Sequence, residues 1–151
     1  MEANQALVRL TAAEILASLA QAYLAEQQAV VDYHARALAA RTPAMREALE
    51  TLRDVEQEHA MRIAARITAL GGIPVEERVE PKARGDTLVI GLTHDLIGEQ
   101  WAIVEYARLV AGIMDDDETA ELMAELMADE IRHARWLKAT MRALRPETQE
   151  E

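Results

Sequence analysis

The chain has 151 residues, a formal net charge of −11, and neither cysteine nor phenylalanine. Its length fits a single domain over residues 1–151, and the lack of cysteine excludes disulfides, thiolate metal sites and a cysteine nucleophile. The negative charge disfavours nucleic acid, and no apolar run approaches the roughly 18 residues of a membrane span. The opening MEANQALVRL lacks a signal-peptide pattern, so we expect a cytoplasmic protein with no membrane partner.

Two helices are predicted in the first half of the chain. TAAE at residues 11–14 is a capping-box pattern, and apolar residues recur behind it at helical spacing to about residue 40. TP at residues 42–43 supplies an N-cap followed by proline at the first helical position, and the second helix is expected to end at Leu70, before a Gly-Gly pair. The short link between the two helices predicts an antiparallel hairpin.

Residues 71–86, GGIPVEERVEPKARGD, form the one long connection. They hold two prolines and three of the six glycines, with no helical period. At about 3.3 Å per extended residue, this segment can run the length of helices that are roughly 40 Å long. The third helix can therefore begin at the same end of the molecule as the second and lie parallel to it.

A second hairpin is predicted after this crossover. Asp86 or Thr87 opens the third helix, which reaches about Ile113. Three aspartates at residues 115–117 turn the chain and place negative charge at the start of a fourth helix, which ends before Pro146. Two antiparallel helical hairpins joined by one long crossover describe an all-α four-helix bundle.

A short pattern is written twice in the two hairpins. Residues 26–35, EQQAVVDYHA, return in edited form as residues 99–108, EQWAIVEYAR. In each copy a glutamate precedes a tyrosine by seven residues: Glu26 with Tyr33, and Glu99 with Tyr106. Seven residues are two helical turns and return to within about 20° of the same face. That face also carries apolar residues, so each glutamate is expected to point into the bundle, where it must find a partner or a proton.

The other two helices each carry Glu-x-x-His. Glu56 and His59 lie in the second helix, and Glu130 and His133 lie in the fourth. One glutamate from each of two helices plus Glu-x-x-His from each of the others is the ligand set of dinuclear carboxylate sites in helical bundles. The negative charge of four carboxylates balances the positive charge of two divalent ions. Ligation by oxygen atoms with one nitrogen per metal suits iron or manganese, and zinc is also possible. The alternative is a set of structural hydrogen-bonded pairs left by a vestigial site.

Three stretches carry a family resemblance. EQEHAMRIAARITALGGIP at residues 56–74 follows the pattern E-x-x-H-A…R-I…L-x-G-(L/I)-P, and DEIRHARWL at residues 129–137 follows E-x-x-H-x-x-W-L. Asp95, Leu96 and Glu99 fit D-L-x-x-E. On these motifs the chain resembles the bacterioferritin branch of the ferritin-like superfamily over almost its whole length.

The resemblance implies a ferritin-like bundle with two iron ions per chain, held by Glu26, Glu56, His59, Glu99, Glu130 and His133. Glu56 and Glu130 would bridge the metals, and Tyr33 and Tyr106 would serve the centre as hydrogen-bond donors or electron sources. The implied activity is oxidation of Fe(II) by O2 or H2O2 for iron detoxification or storage, in a homo-oligomer. The alternatives are a non-storage di-iron or di-manganese oxidase or peroxidase, and a metal-binding module without turnover.

Departures from the family pattern refine these expectations. Gln57 stands where bacterioferritins have a haem-binding methionine, so no haem is expected. Thr51 and Val55 stand where relatives place an iron-binding histidine and aspartate on the inner surface. The sequence stops at Glu151 without a fifth helix, which favours a dimer or smaller assembly over a storage cage.

The remaining polar residues near the repeats are expected outside the metal centre. His34 and His94 point away from the ligand faces and are expected at the surface or an interface. Asp32 and Glu105 precede the tyrosines and are expected in solvent, or along an iron access route. The two tryptophans are expected at the core edge or at a dimer interface.

Overall fold

The computed structural model describes residues 8–82 and 87–144, which form four α-helices. The helices are α1 (Ala12–Ala39), α2 (Pro43–Ala69), α3 (Leu88–Gly112) and α4 (Asp117–Leu144). The prediction of an all-α four-helix bundle is confirmed. The predicted start at Asp86, the end of the crossover at residues 83–86 and the stop at Pro146 lie outside the described residues. No helix within the described ranges combines the length and the apolar character that crossing a membrane requires.

Local hydrogen bonds begin and end these helices where the sequence indicates. The Thr11 hydroxyl oxygen accepts the Glu14 backbone N–H at 3.2 Å, and Thr42 accepts that of Met45 at 3.2 Å. Each such cap stabilises a helix start by about 1 kcal/mol. Gly71 follows the end of α2 with φ of 86°, a backbone conformation that glycine adopts without strain.

Contacts at both ends of the bundle show how the helices run. The backbone N–H of Leu10 donates to the Gly112 carbonyl at one end, and Arg36 contacts Asp95 at the other, so α1 and α3 are antiparallel. Since α2 is also antiparallel to α1, α2 and α3 run in the same direction, as predicted. The crossover must therefore travel the length of the bundle.

Side chains of α1 hold the crossover in place. Gln28 donates its amide to the Glu80 carbonyl at 2.8 Å, and Asp32 accepts the Lys82 backbone N–H at 2.7 Å. Arg36 donates to the Lys82 carbonyl at 2.7 Å. The expectation that Asp32 lies in solvent is wrong: it is 8% exposed, because the crossover covers it and supplies its hydrogen bond.

Two apolar clusters fill the bundle on either side of a polar layer. One includes Leu19, Ile63 and Leu126, and the other includes Leu49 and Leu137, all of them fully buried. The polar layer lies between the clusters, in the middle of all four helices. Charges in such a water-poor interior act on one another more strongly than they would in solvent.

Candidate metal centre

The six residues predicted as metal ligands meet in this polar layer. Each is 7% exposed or less. Their oxygen and nitrogen atoms form two overlapping groups, and within each group the atoms lie within 4.8 Å of one another. The first group is Glu26, Glu56, His59 and Glu130, and the second is Glu56, Glu99, Glu130 and His133. The structure therefore brings all four helices to one place, with two glutamates common to both groups.

Histidine and glutamate face each other across α2 and α4. Nδ1 of His133 lies 2.7 Å from Oε1 of Glu56, and Nδ1 of His59 lies 2.8 Å from Oε1 of Glu130. The second pair is close but not aligned as a hydrogen bond. Both of its atoms, together with Oε2 of Glu56 and Oε2 of Glu99, are buried without a hydrogen-bond partner in the described part of the chain.

Unpartnered buried polar atoms are costly, at about 1–3 kcal/mol each, and native interiors contain few of them. Here several converge on one small volume. Oxygen and nitrogen lone pairs aimed at a common centre are what a cation requires, and neutral imidazole with carboxylate is a donor set that iron and manganese accept. The residues present therefore fit a pair of divalent metal ions.

The two repeated tyrosines bond across the bundle rather than within their own helix. The Tyr33 hydroxyl in α1 donates to Oε1 of Glu99 in α3 at 2.6 Å, and the Tyr106 hydroxyl in α3 donates to Oε1 of Glu26 in α1 at 2.5 Å. Burial, and next the facing carboxylate, raise the pKa of each phenol well above its ordinary value. Both phenols therefore keep their protons at neutral pH and hold one oxygen of each glutamate in place.

Crowding makes the centre retain protons when no cation is bound. Burial raises the pKa of Glu56 well above its ordinary value, and repulsion from Glu26 and Glu99 raises it further. The pKa of Glu130 rises for the same reasons, burial first. Burial alone would lower the pKa of His59, but close contacts with Glu130, Glu26 and Glu56 raise it to about 12. A metal ion would take the place of these protons.

Asp129 is a site residue that the sequence analysis missed. Its Oδ2 lies 2.8 Å from Nε2 of His59, the ring nitrogen that faces away from the glutamates. A carboxylate in this position fixes the ring orientation and tautomer of a ligating histidine. The counterpart position in α2 is Val55, and the contacts of His133 among the described residues all involve Nδ1. The signal was an acid directly before Glu-x-x-His in only one of the two copies.

A buried ion pair lies one helical turn from Glu99. Nε of Arg36 is 3.2 Å from Oδ2 of Asp95, and both side chains are buried. Burial outweighs this cation and raises the pKa of Asp95 to about 7. Gly91 makes room for the arginine, since a Cβ added there would lie 2.3 Å from Arg36 Nε.

The other residues set aside by the sequence analysis stay away from the centre. His34 and His94 are exposed, in keeping with the faces they occupy. Glu105 is half-buried and pairs with Arg108 at 2.5 Å. Trp101 is 41% exposed on α3.

A cavity of about 600 Å³ opens between α1, α3 and the crossover and reaches the centre. Leu24, Ile97 and Trp101 lie along its walls. Glu26 and Glu99 lie at its inner end, together with the other two glutamates and both tyrosines. The polar layer is therefore reachable from the α1–α3 face.

Comparisons with known sequences identify a family and two similar enzymes. The sequence model of the Ferritin-like domain family matches residues 16–146. A 3-demethoxyubiquinol 3-hydroxylase of Laribacter hongkongensis is 31% identical over 126 residues, which cover 76% of this chain and 60% of that protein. The enzyme of the same name from Dechloromonas aromatica is 29% identical over 114 residues, covering 68% and 54%. The chain thus spans somewhat over half the length of these relatives.

Solved structures share the fold. A bacterioferritin-related protein from Bacteroides fragilis, described as a dodecameric thioferritin, is 24% identical with a TM-score of 0.79, covering 90% of this chain and 89% of that one. The bacterioferritin of Rhodobacter capsulatus, described with a metal-free dinuclear site and haem iron, is 25% identical with a TM-score of 0.75, covering 90% and 88%. A ferritin-like diiron-carboxylate protein from Bacillus anthracis is 22% identical with a TM-score of 0.78, covering 86% and 96%.

Proposed function

Because this chain belongs to the ferritin-like family, whose model matches residues 16–146, we propose that it is a dinuclear metal protein that binds Fe(II) and oxidises it with O2 or H2O2. The observation that carries the proposal is the buried convergence of four carboxylates and two imidazoles, with several of their atoms unpartnered. Iron and manganese suit this donor set, whereas zinc would bind without redox chemistry.

The overlap of the two groups supports a role for each ligand. Glu56 and Glu130 belong to both groups and would bridge the two ions. Glu26 and His59 would complete one position. Glu99 and His133 would complete the other. Four carboxylates offset two divalent charges, so the filled centre is close to neutral and compatible with a buried position.

The proposed reaction takes electrons from Fe(II) and protons from water. Two Fe(II) ions bound as substrate give one electron each, and O2 takes two electrons and two protons and leaves as H2O2. When H2O2 is the oxidant, the same electrons and protons give two molecules of water. Tyr33 and Tyr106 hold Glu99 and Glu26 through their hydroxyl protons, which burial keeps on the phenols. The glutamates supply the charge that favours the Fe(III) products over Fe(II).

Anaerobic loading with Fe(II), followed by exposure to oxygen, tests the proposal. We expect two Fe(II) per chain and an absorbance rise that marks Fe(III) formation. Glu130→Gln should abolish this rise, while Glu121→Gln, an exposed glutamate of the same helix, should leave it unchanged. Binding without any absorbance change would favour a metal-binding module without turnover. Manganese retained in the native protein, with weak Fe(II) oxidation, would favour a di-manganese oxidase or peroxidase.

A second candidate function is oxidation of an organic molecule. The cavity that reaches Glu26 and Glu99 favours it, and the curated relatives carry the name of a hydroxylase. Insertion of one oxygen atom of O2 into a C–H bond releases the other as water and needs two protons and two electrons, the electrons from an external donor. Oxygen consumption that depends on an added organic compound and a reductant, with little turnover of Fe(II), would select this function.

We also propose a homo-oligomer. A relative in fold that is described as dodecameric supports this proposal. The solution mass from sedimentation tests this proposal. The absence of haem and a cytoplasmic location stay predictions.

A further inference from the structure

The walls of the α1–α3 cavity are largely apolar. Leu24 projects from α1, and Ile97 and Trp101 project from α3 one turn apart. These three side chains are 37%, 59% and 41% exposed, although they line a concave surface. A concave apolar surface of several hundred Å³ with a few polar groups at one end is the usual form of a small-molecule site.

A glycine of α3 leaves room in this cavity. Gly98 lies between Ile97 and Trp101 on the wall, and a Cβ added at Gly98 would meet nothing within 4 Å. The glycine is therefore not needed for helix packing at this point. In the middle of a helix, glycine costs roughly 0.5–1 kcal/mol relative to alanine, so this position gives up local stability and leaves space.

The crossover forms a third wall that is fastened to α1. Val79 and Lys82 line the cavity, and the Glu77 backbone N–H donates to Gln27 at 3.1 Å. Asp32 accepts the Lys82 N–H at 2.7 Å. Because hydrogen bonds hold this wall on both sides of Val79, the cavity is already formed before any ligand arrives, which lowers the ordering cost of binding.

The charges around the cavity select against anions. Beyond the four central glutamates, whose charge two divalent ions would offset, Asp32, Glu77 and Asp95 also line it. Lys82 and His94 also lie on the wall, and Asp95 is engaged by Arg36. An anionic ligand that reached the inner end of the cavity would meet the buried carboxylates at close range, where repulsion is strongest. A neutral molecule would not.

We propose that this cavity binds a neutral, ring-containing organic molecule that carries a hydroxyl group at its inner end. Trp101 offers an aromatic face for the ring. Oε2 of Glu99, which is buried and has no hydrogen-bond partner among the described residues, offers an acceptor for the hydroxyl in the metal-free site. A bound metal ion would attract the hydroxyl oxygen instead. This inference extends the second candidate function, the oxidation of an organic molecule. It rests on that function only for the oxidation of the bound molecule and not for its binding.

The test uses two probes of the same size, 4-nitrobenzyl alcohol and 4-nitrobenzoate, one neutral and one anionic. The chain has two tryptophans, so Trp136→Phe leaves Trp101 as the single fluorescent reporter on the cavity wall. Both probes quench tryptophan, and a bound probe gives saturable quenching whereas random collision gives a linear dependence. The titrations are made on the metal-free chain in EDTA, where Oε2 of Glu99 can accept the hydroxyl and no cation attracts the carboxylate of 4-nitrobenzoate.

We expect saturable quenching by 4-nitrobenzyl alcohol and at least about tenfold weaker binding of 4-nitrobenzoate. Gly98→Leu, which fills the cavity, should abolish the saturable phase. Ala107→Leu, an exposed position of α3 away from the cavity, should leave it intact. Circular dichroism shows whether both variants fold, and glycine replacement in a helix favours folding.

Linear quenching by both probes, or equal saturable binding of both, would overturn the inference. Saturable binding that survives Gly98→Leu would overturn it as well, because the probe would then sit elsewhere. The quenching titrations do not depend on Fe(II) oxidation. Failure of the proposed function would appear as absent Fe(II) oxidation, whereas failure of this inference would appear as absent saturable quenching.

Discussion

Replacing Glu56 by glutamine should make the chain more stable without metal and less stable with metal. Glu56 is 0% exposed and belongs to both candidate ligand groups, and its Oε2 has no hydrogen-bond partner in the described ranges. Glutamine has nearly the same shape but no charge to desolvate. The substitution therefore removes a buried carboxylate that only a cation can fully satisfy.

The sign of the metal-free effect follows from the raised pKa of Glu56. Burial raises it in the folded state, so the unfolded chain loses this proton at lower pH, near the ordinary value of 4.5. Above pH 4.5 the wild type loses stability as the pH rises, until the pH reaches the folded-state pKa of Glu56. Glu56→Gln has no such loss. Each pH unit between 4.5 and the folded-state pKa of Glu56 costs the wild type about 1.4 kcal/mol, so the variant should gain up to about 3 kcal/mol at neutral pH, and the gain should vanish below pH 4.5.

The metal-bound effect has the opposite sign. At a free metal concentration 100 times the Kd of each position, binding stabilises the wild type by about 2.7 kcal/mol per ion, or about 5.4 kcal/mol for two ions. For a chain of this size each kcal/mol shifts Tm by roughly 2–4 °C, so saturating zinc should raise the wild-type Tm by roughly 11–22 °C. Glu56→Gln removes a ligand common to both positions and should lose most of this rise.

Thermal unfolding followed by circular dichroism, with EDTA and with zinc, measures both effects. Glu58→Gln is the matched control, since Glu58 is exposed on the same helix two residues away. Its Tm should follow the wild type under both conditions. A Glu56→Gln variant that behaves like Glu58→Gln, or that keeps the full zinc-dependent rise in Tm, would rule out this role for Glu56.

Three further predictions concern the ligands, the protons and the buried ion pair. His133→Ala should leave the bundle helical and reduce the bound metal from two ions per chain to one. Metal analysis that finds two ions per chain would contradict the assignment of His133 as a ligand. Metal affinity should rise with pH from 4.5 upward, because the cation displaces protons held by Glu56 and Glu130, whose pKa values lie well above 4.5, and by His59, whose pKa is about 12. Calorimetry in two buffers of different ionisation enthalpy measures the released protons, and release of none would refute this prediction. Gly91→Ala should displace Arg36 from Asp95 and lower the free energy of unfolding by about 3–5 kcal/mol, as measured by chemical denaturation. Gly98→Ala, which has open space at its Cβ, should raise the free energy of unfolding by about 0.5–1 kcal/mol. Equal effects of the two substitutions would show that the ion pair adapts.

Local chemistry made the helices and the ligand pattern predictable. Thr11 and Thr42 cap the helices that their sequence patterns indicate, because capping involves atoms only three residues apart. The spacing of the repeated glutamates and histidines places each on an inward helical face, and the family match agrees with the fold that this spacing implied. Metal binding by those residues stays a prediction for the experiments above.

Contacts between segments that lie far apart in the chain could not be predicted from the sequence. Asp32 was expected in solvent, but the crossover carries Lys82 over it and buries it. Asp129 reaches His59 only because α4 packs beside α2 in one particular register.

The sequence by itself determined which residues lie on the inner face of each helix, since helical periodicity depends only on neighbours along the chain. Only the tertiary structure decided which side chains meet across helices: Tyr33 donates to Glu99, 66 residues away, and not to Glu26 on its own helix. The cavity beside them likewise exists only once α1, α3 and the crossover are assembled. Packing geometry sets such distances, and it is a property of the whole bundle rather than of any one segment.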